Sequence, residues 1–239
     1  MRKTTLIIAS IFALIVNSYG QYFADEEISK NDLTAWNVDS IKEYEATYFF
    51  GISEGECDLR VIISDGIIVA QTSCYTPDST TGGLKDTFNT FTNVRIEGNK
   101  FYSDQTNGEF MIKKNQYGTV AGLFVYNPWT YKFNNGGEFG PVFPDEEGVY
   151  LVGTYPFVSK RILTEQELET YSLDELKIMR NEIFARYGFT FQKGGEMEKY
   201  FCEQKWYKGR RYKNVDQWLT EIELQNIETI KKVETQKNK

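Results

Sequence analysis

The dipeptide Asp65-Gly66, set between two β-rich runs at 57–64 and 67–74, constrains this chain more than any other feature. Asp-Gly favours the type I′ turn, whose twist suits a two-residue loop between antiparallel strands. In that register Ser64 faces Ile67, and counting outward places Cys57 opposite Cys74 at a non-hydrogen-bonded position, where Cα atoms lie ~4.5 Å apart. This separation is at the short end of the disulfide range, so the hairpin predicts a Cys57–Cys74 bond in an exported protein. The same face carries Leu59, Val61, Ile63, Ile68 and Ala70 and is the expected core face. Cys202 is left over and reads as a small buried hydrophobe.

Export is itself an expectation from the first twenty residues. Arg2 and Lys3 precede an apolar run from Leu6 to Val16, and Ser18 and Gly20 stand before Gln21, the pattern of a signal peptide at 1–20. The run is short for a membrane anchor, and no later stretch is apolar enough to span a bilayer. Charge is divided unevenly: residues 21–158 carry 9 basic and 20 acidic side chains, and 159–239 carry 16 and 14. The imbalance suggests two modules and makes nucleic acid a poor partner.

Short β-rich runs separated by turn dipeptides fill 43–126, after an irregular lead-in at 21–42. Candidate strands are 43–51, 57–64, 67–74, 91–97, 100–104, 108–113 and 118–126, with a late strand at 149–154. They predict an antiparallel meander or small barrel. Residues 127–147 hold Pro128, Pro141 and Pro144 among glycines and aromatics, and read as a long loop or linker. From Thr164 the period becomes helical. Capping pairs Thr164/Glu167, Ser172/Glu175 and Thr220/Glu223 predict helices at 165–170, 173–187 and 221–234, with another at 196–203 after Gly194-Gly195. The fold class is therefore α+β, with a small all-helical module at 159–235.

On the main helix Leu173, Leu176, Met179, Ile183, Phe184 and Tyr187 share one face, with Arg180 in its middle. A guanidinium there must reach water or a carboxylate. Glu223 and Asn226, inside the apolar arc of the last helix, are its expected partners. Glu182 and Arg186 fall on the opposite side as an i,i+4 pair.

The run from Leu163 to Val233 resembles the YARHG domain, a module of bacterial exported proteins. The resemblance is carried by Leu168, Ser172, Glu175-Leu176, Arg180-Asn181-Glu182-Ile183, Ala185-Arg186, Gly188, Phe191, Tyr200-Phe201, Trp206-Tyr207, Ile222-Glu223 and Asn226-Ile227. Phe184 stands where the motif has tyrosine, and Tyr187 where it has histidine. The resemblance implies a cell-envelope setting and a small helical fold.

The chain has no histidine, which removes His-dependent triads, Cys-His dyads and H-E-x-x-H zinc sites. No cofactor or metal motif is evident. The stretch KWYKGRRYK at 205–213 sets five basic residues among aromatics, and Lys205, Trp206, Tyr207, Lys208, Arg210 and Arg211 are the candidate binding residues. They suit an anionic envelope polymer or another envelope protein. A carboxylate-based hydrolase and a carrier that uses the β module's interior are the alternatives.

Overall fold

The computed structural model describes residues 30–50, 57–78, 82–115, 118–129, 137–142, 151–209 and 212–239. The expected signal peptide, Arg210, Arg211 and much of 127–147 lie outside the described residues.

Among the described residues ten strands form: β1 Leu33–Ala35, β2 Ala46–Phe50, β3 Cys57–Ser64, β4 Ile67–Pro77, β5 Leu84–Thr90, β6 Arg95–Glu97, β7 Lys100–Tyr102, β8 Asn107–Asn115, β9 Gly118–Val125 and β10 Glu138–Pro141. The Asp65-Gly66 turn has both residues at positive φ, 49° and 81°, as type I′ requires. It sets Ser64 against Ile67 and Cys57 against Cys74. Those cysteines are disulfide-bonded, with Cα atoms 4.3 Å apart.

One antiparallel sheet runs β2-β3-β4-β5. The other runs β10-β9-β8-β7-β6, with β1 added beside β8. Among the described residues a bridge between Tyr48 and Val142 joins them, and the sheets do not close into a barrel. The space between them is filled: Tyr48, Phe50, Leu59, Val61, Phe101, Phe110 and Leu123 are buried, and Tyr44 stacks on Phe110 at 3.9 Å between centroids. Trp129 packs edge-on against Phe50 and Phe91. The carrier reading needs an interior cavity, and this core occupies the place where one would lie.

Strand β3 is buried on both faces. Val61 and Ile63 enter the core between the sheets, while Ile62, with Val69 from β4, packs outward on Leu151 and Ile222. The continuous apolar runs of this hairpin follow from that double burial.

Among the described residues four α-helices follow: α1 Glu165–Leu168, α2 Leu173–Arg186, α3 Glu196–Cys202 and α4 Glu221–Lys237. Ser172/Glu175 and Thr220/Glu223 form full capping boxes. Thr164 caps α1, and the Glu167 carboxylate bonds Arg161. Helix α2 ends at Gly188 (φ 72°), where Phe189 N–H bonds Phe184 O and Gly188 N–H bonds Ala185 O. This is a Schellman motif, sealed by the Phe184–Phe189 ring contact. On α3, Phe201 turns inward, and Cys202, one position on, is exposed instead of buried.

The expected late strand does not form over Leu151–Thr154, the described part of 149–154. Its backbone groups go to side chains: Val152 O accepts from Arg186, and Thr154 N–H bonds Glu182.

On the second sheet, Glu109 is clamped by Lys30, Lys100 and Tyr126. Burial alone would push its carboxyl up, but these three hydrogen bonds outweigh that and bring it from 4.5 to about 2. A depressed carboxylate stabilises the fold above its unfolded pKa, and that contribution is lost as pH falls through the folded value. Wild type should therefore lose up to about 3 kcal/mol between pH ~5 and 2 that Glu109→Gln does not lose, measured by urea unfolding across that range.

Candidate functional site

Two places bear on function: the buried polar contact between helices and sheet, and the basic stretch.

The first is built around Arg186. Its Nε donates to Val152 O (2.8 Å), Nη1 to Ser159 Oγ (2.7 Å), and Nη2 to Tyr155 O (3.0 Å) and Glu182 Oε1 (2.5 Å). Glu182 also accepts from Thr154 N–H and Tyr155 N–H, both at 2.8 Å. The pair's side chains are only 6% and 0% exposed. The sequence places this pair on the side of α2 away from the core; the structure buries it, because residues 151–159 fold across that side. Burial pushes the Glu182 carboxyl up, against the pull of Arg186 and the two N–H donors. Gly153 permits the approach: at φ 132°, a Cβ there would lie 2.3 Å from Glu182 Oε1.

Ser159 passes the network on by donating to Glu223 Oε1 (2.6 Å). The other Glu223 oxygen accepts from Thr220 N–H (2.9 Å) and Tyr187 O–H (2.8 Å). The Tyr187 hydroxyl also meets Gln71 of β4, whose amide donates to Trp218 O (2.6 Å). Burial first, then the Glu223 charge, raises the Tyr187 hydroxyl well above its ordinary range. A cavity of about 10 Å³ lies here, lined by Arg60, Gln71, Ser159, Tyr187, Thr220 and Glu223. It has room for about one water molecule and none for a metabolite, so the network holds the two modules together.

The expected bond from Arg180 to Glu223 or Asn226 is not made. Tyr187 lies against Glu223, so Arg180, two turns earlier on α2, meets the far half of the antiparallel α4. There it bonds Glu234 through Nε (3.0 Å) and Nη2 (3.2 Å). Glu223 is consumed by its cap, Ser159 and Tyr187. Asn226, fully buried, accepts from Leu163 N–H and donates to Val158 O and Arg161 O. Glu223 and Asn226 thus staple the segment before α1 to α4, and Arg180 is a separate, partly exposed pair.

In the basic stretch Trp206 and Tyr207 turn inward. They pack with Phe191 and Phe201, and the Tyr207 hydroxyl donates to Phe189 O (2.5 Å). Gly209 lets that ring close down, since a Cβ there would sit 1.7 Å from Tyr207 Cζ. Lys205, Lys208 and Lys213 are exposed. Sequence reasoning missed Ser159, Tyr155 and Gly153, because Arg186 lies on the polar side of α2 and no local pattern marks the segment that covers it. Among the described residues no group of three or more Cys, Asp or Glu is placed to hold a metal ion.

Arg186→Ala strands Glu182 and should cost about 3–5 kcal/mol in urea unfolding. Arg186→Lys should rescue little, since one ammonium cannot span four acceptors. Gly153→Ala should also destabilise, whereas Arg180→Ala should cost only about 1 kcal/mol, as a part-exposed pair.

Residues 153–235 match the family model of the YARHG domain. No curated protein and no solved structure matches the chain. The match opens at Gly153, so it includes Thr154, Tyr155 and Ser159, which Glu182 and Arg186 hold. Among the described residues no helix is long and apolar enough to cross a membrane. The match to the YARHG domain thus covers the C-terminal third of the chain, the part that folds as helices.

Proposed function

We propose that this is an exported, non-enzymatic binding protein of the bacterial cell envelope, whose basic stretch at 205–213 contacts an anionic envelope polymer. The observation that carries the reading is the pairing of inward-anchored Trp206 and Tyr207 with outward Lys205 and Lys208 on the same short stretch. Aromatic anchors fix the backbone, so the cations are presented from a pre-organised surface and less ordering entropy opposes binding. Arg210 and Arg211 join the site on sequence alone. The Cys57–Cys74 disulfide accords with an oxidising compartment outside the cytoplasm.

The buried carboxylates Glu182 and Glu223 do not favour the hydrolase alternative. Each is enclosed and committed to several donors, which leaves no approach for a substrate.

Purified peptidoglycan sacculi should retain the mature protein at low salt, with retention falling as ionic strength rises. Changing Lys205, Lys208, Arg210 and Arg211 together to alanine should weaken retention at least ~10-fold, about 0.35 kcal/mol per cation. Unchanged retention of that variant would reject the stretch as the contact, and absence of wild-type retention would reject the reading.

A further inference from the structure

The two edges of the first sheet end differently. Strand β2 passes toward the second sheet through the Tyr48–Val142 bridge, whereas β5 has no further strand beside it among the described residues. The direction of its backbone groups follows from the register. Ser64 and Ile67 close the Asp65-Gly66 turn as a hydrogen-bonded pair, so alternation turns the Cys74 backbone away from β3 and toward Thr87 of β5. The bond from Phe91 N–H to Ala70 O, at 2.8 Å, has the same phase. Lys85, Thr87 and Asn89 therefore direct their N–H and C=O groups to β4, and those of Asp86, Phe88 and Thr90 point off the edge. Such a row on a seven-residue strand is a template for pairing with another chain.

The helical module lies along this row. The Tyr212 hydroxyl donates to Asp86 O at 2.7 Å. The Phe88 ring packs edge-on against Tyr187 and also meets Trp218. Trp218 O, at the end of the 3₁₀ turn Asp216–Trp218, accepts from Thr90 Oγ1 (2.9 Å) and from Gln71 Nε2 (2.6 Å). The cover is itself firmly mounted. Tyr212 N–H bonds Gly188 O and Thr190 N–H bonds Tyr212 O, which ties it to the chain leaving α2. The Tyr212 and Trp218 rings meet edge-on with centroids 4.6 Å apart.

We propose that the helical module guards the β5 edge, with residues 212–218 lying where a second copy of this chain would otherwise add its own β5. Packing alone would be served by contacts on the face of the sheet; Tyr212 goes further, to a backbone carbonyl on its rim. The strand excluded is a second β5 because antiparallel pairing about a two-fold axis sets the same outward groups of both copies against each other. This role needs no ligand and is independent of the envelope-binding reading.

Sedimentation velocity of the mature protein tests the guard. Wild type should hold one mass across concentration, and Tyr212→Ala, which opens the edge, should associate and roughly double that mass. Adding Asp86→Pro to Tyr212→Ala should restore the wild-type mass, because proline removes an outward N–H and leaves the bonds to β4 in place. Arg180→Ala, which weakens the helical module away from β5, should keep the wild-type mass. Circular dichroism checks that each variant is folded. If Tyr212→Ala is not, Tyr212→Phe replaces it at ~10-fold higher concentration with the same outcomes, since it keeps the ring and deletes only the bond to Asp86 O. Four results overturn the guard: wild type whose association Asp86→Pro relieves, an opened edge that does not associate, equal association in Arg180→Ala, or association that Asp86→Pro leaves unchanged.

Discussion

A guanidinium removed from water must find acceptors for its five N–H groups, and the C-terminal half of this structure is arranged by how Arg186 finds them. Two are carbonyls and one a hydroxyl, all on the segment between the last described strand and α1, and the fourth is the Glu182 carboxylate. Because those acceptors belong to an otherwise irregular segment, the arginine gives that segment a single conformation. Leu151, Val158 and Leu163 are carried into the core as a result.

From there the order spreads by shared atoms. Ser159 takes a hydrogen bond from Arg186 and gives one to Glu223, and the same carboxylate closes the N-terminus of α4. Asn226, one turn along, ties the carbonyls and amide that precede α1. Tyr187 and Gln71 extend the chain of contacts to the sheet, where Ile62 and Val69 meet Leu151 and Ile222. The helices and the first sheet thus share both an apolar and a polar contact, and loosening one weakens the other.

Much of this was legible in the residues. Asp65-Gly66 fixed the β3–β4 register and with it the disulfide, because a two-residue turn leaves no freedom in the pairing. The helices were legible through their caps, since Ser172 and Thr220 bond locally within their own turn. Strand β5, LKDTFNT, was missed because Phe88 is its one large apolar residue facing the helices and its edge position lets the rest stay polar. The partner of Arg180 was missed for another reason: helical phase gives a face, whereas the residue met on a second helix depends on how far the two slide past each other. The burial of Arg186 was hidden likewise, for no local pattern announces that an irregular segment will fold over a helix's polar side.

Tyr187 occupies the place where the family motif has histidine, and it is also the motif residue whose polar tip touches the sheet module. Its phenol oxygen bridges Glu223 within the helical part and Gln71 outside it. An imidazole is shorter than a phenol and would not bridge these two partners in the same way, although the Gln71 amide would keep Thr90 and Trp218. The departure from the motif therefore adds one polar tie to the sheet, beside the contacts made there by Ile222, Tyr212 and Trp218.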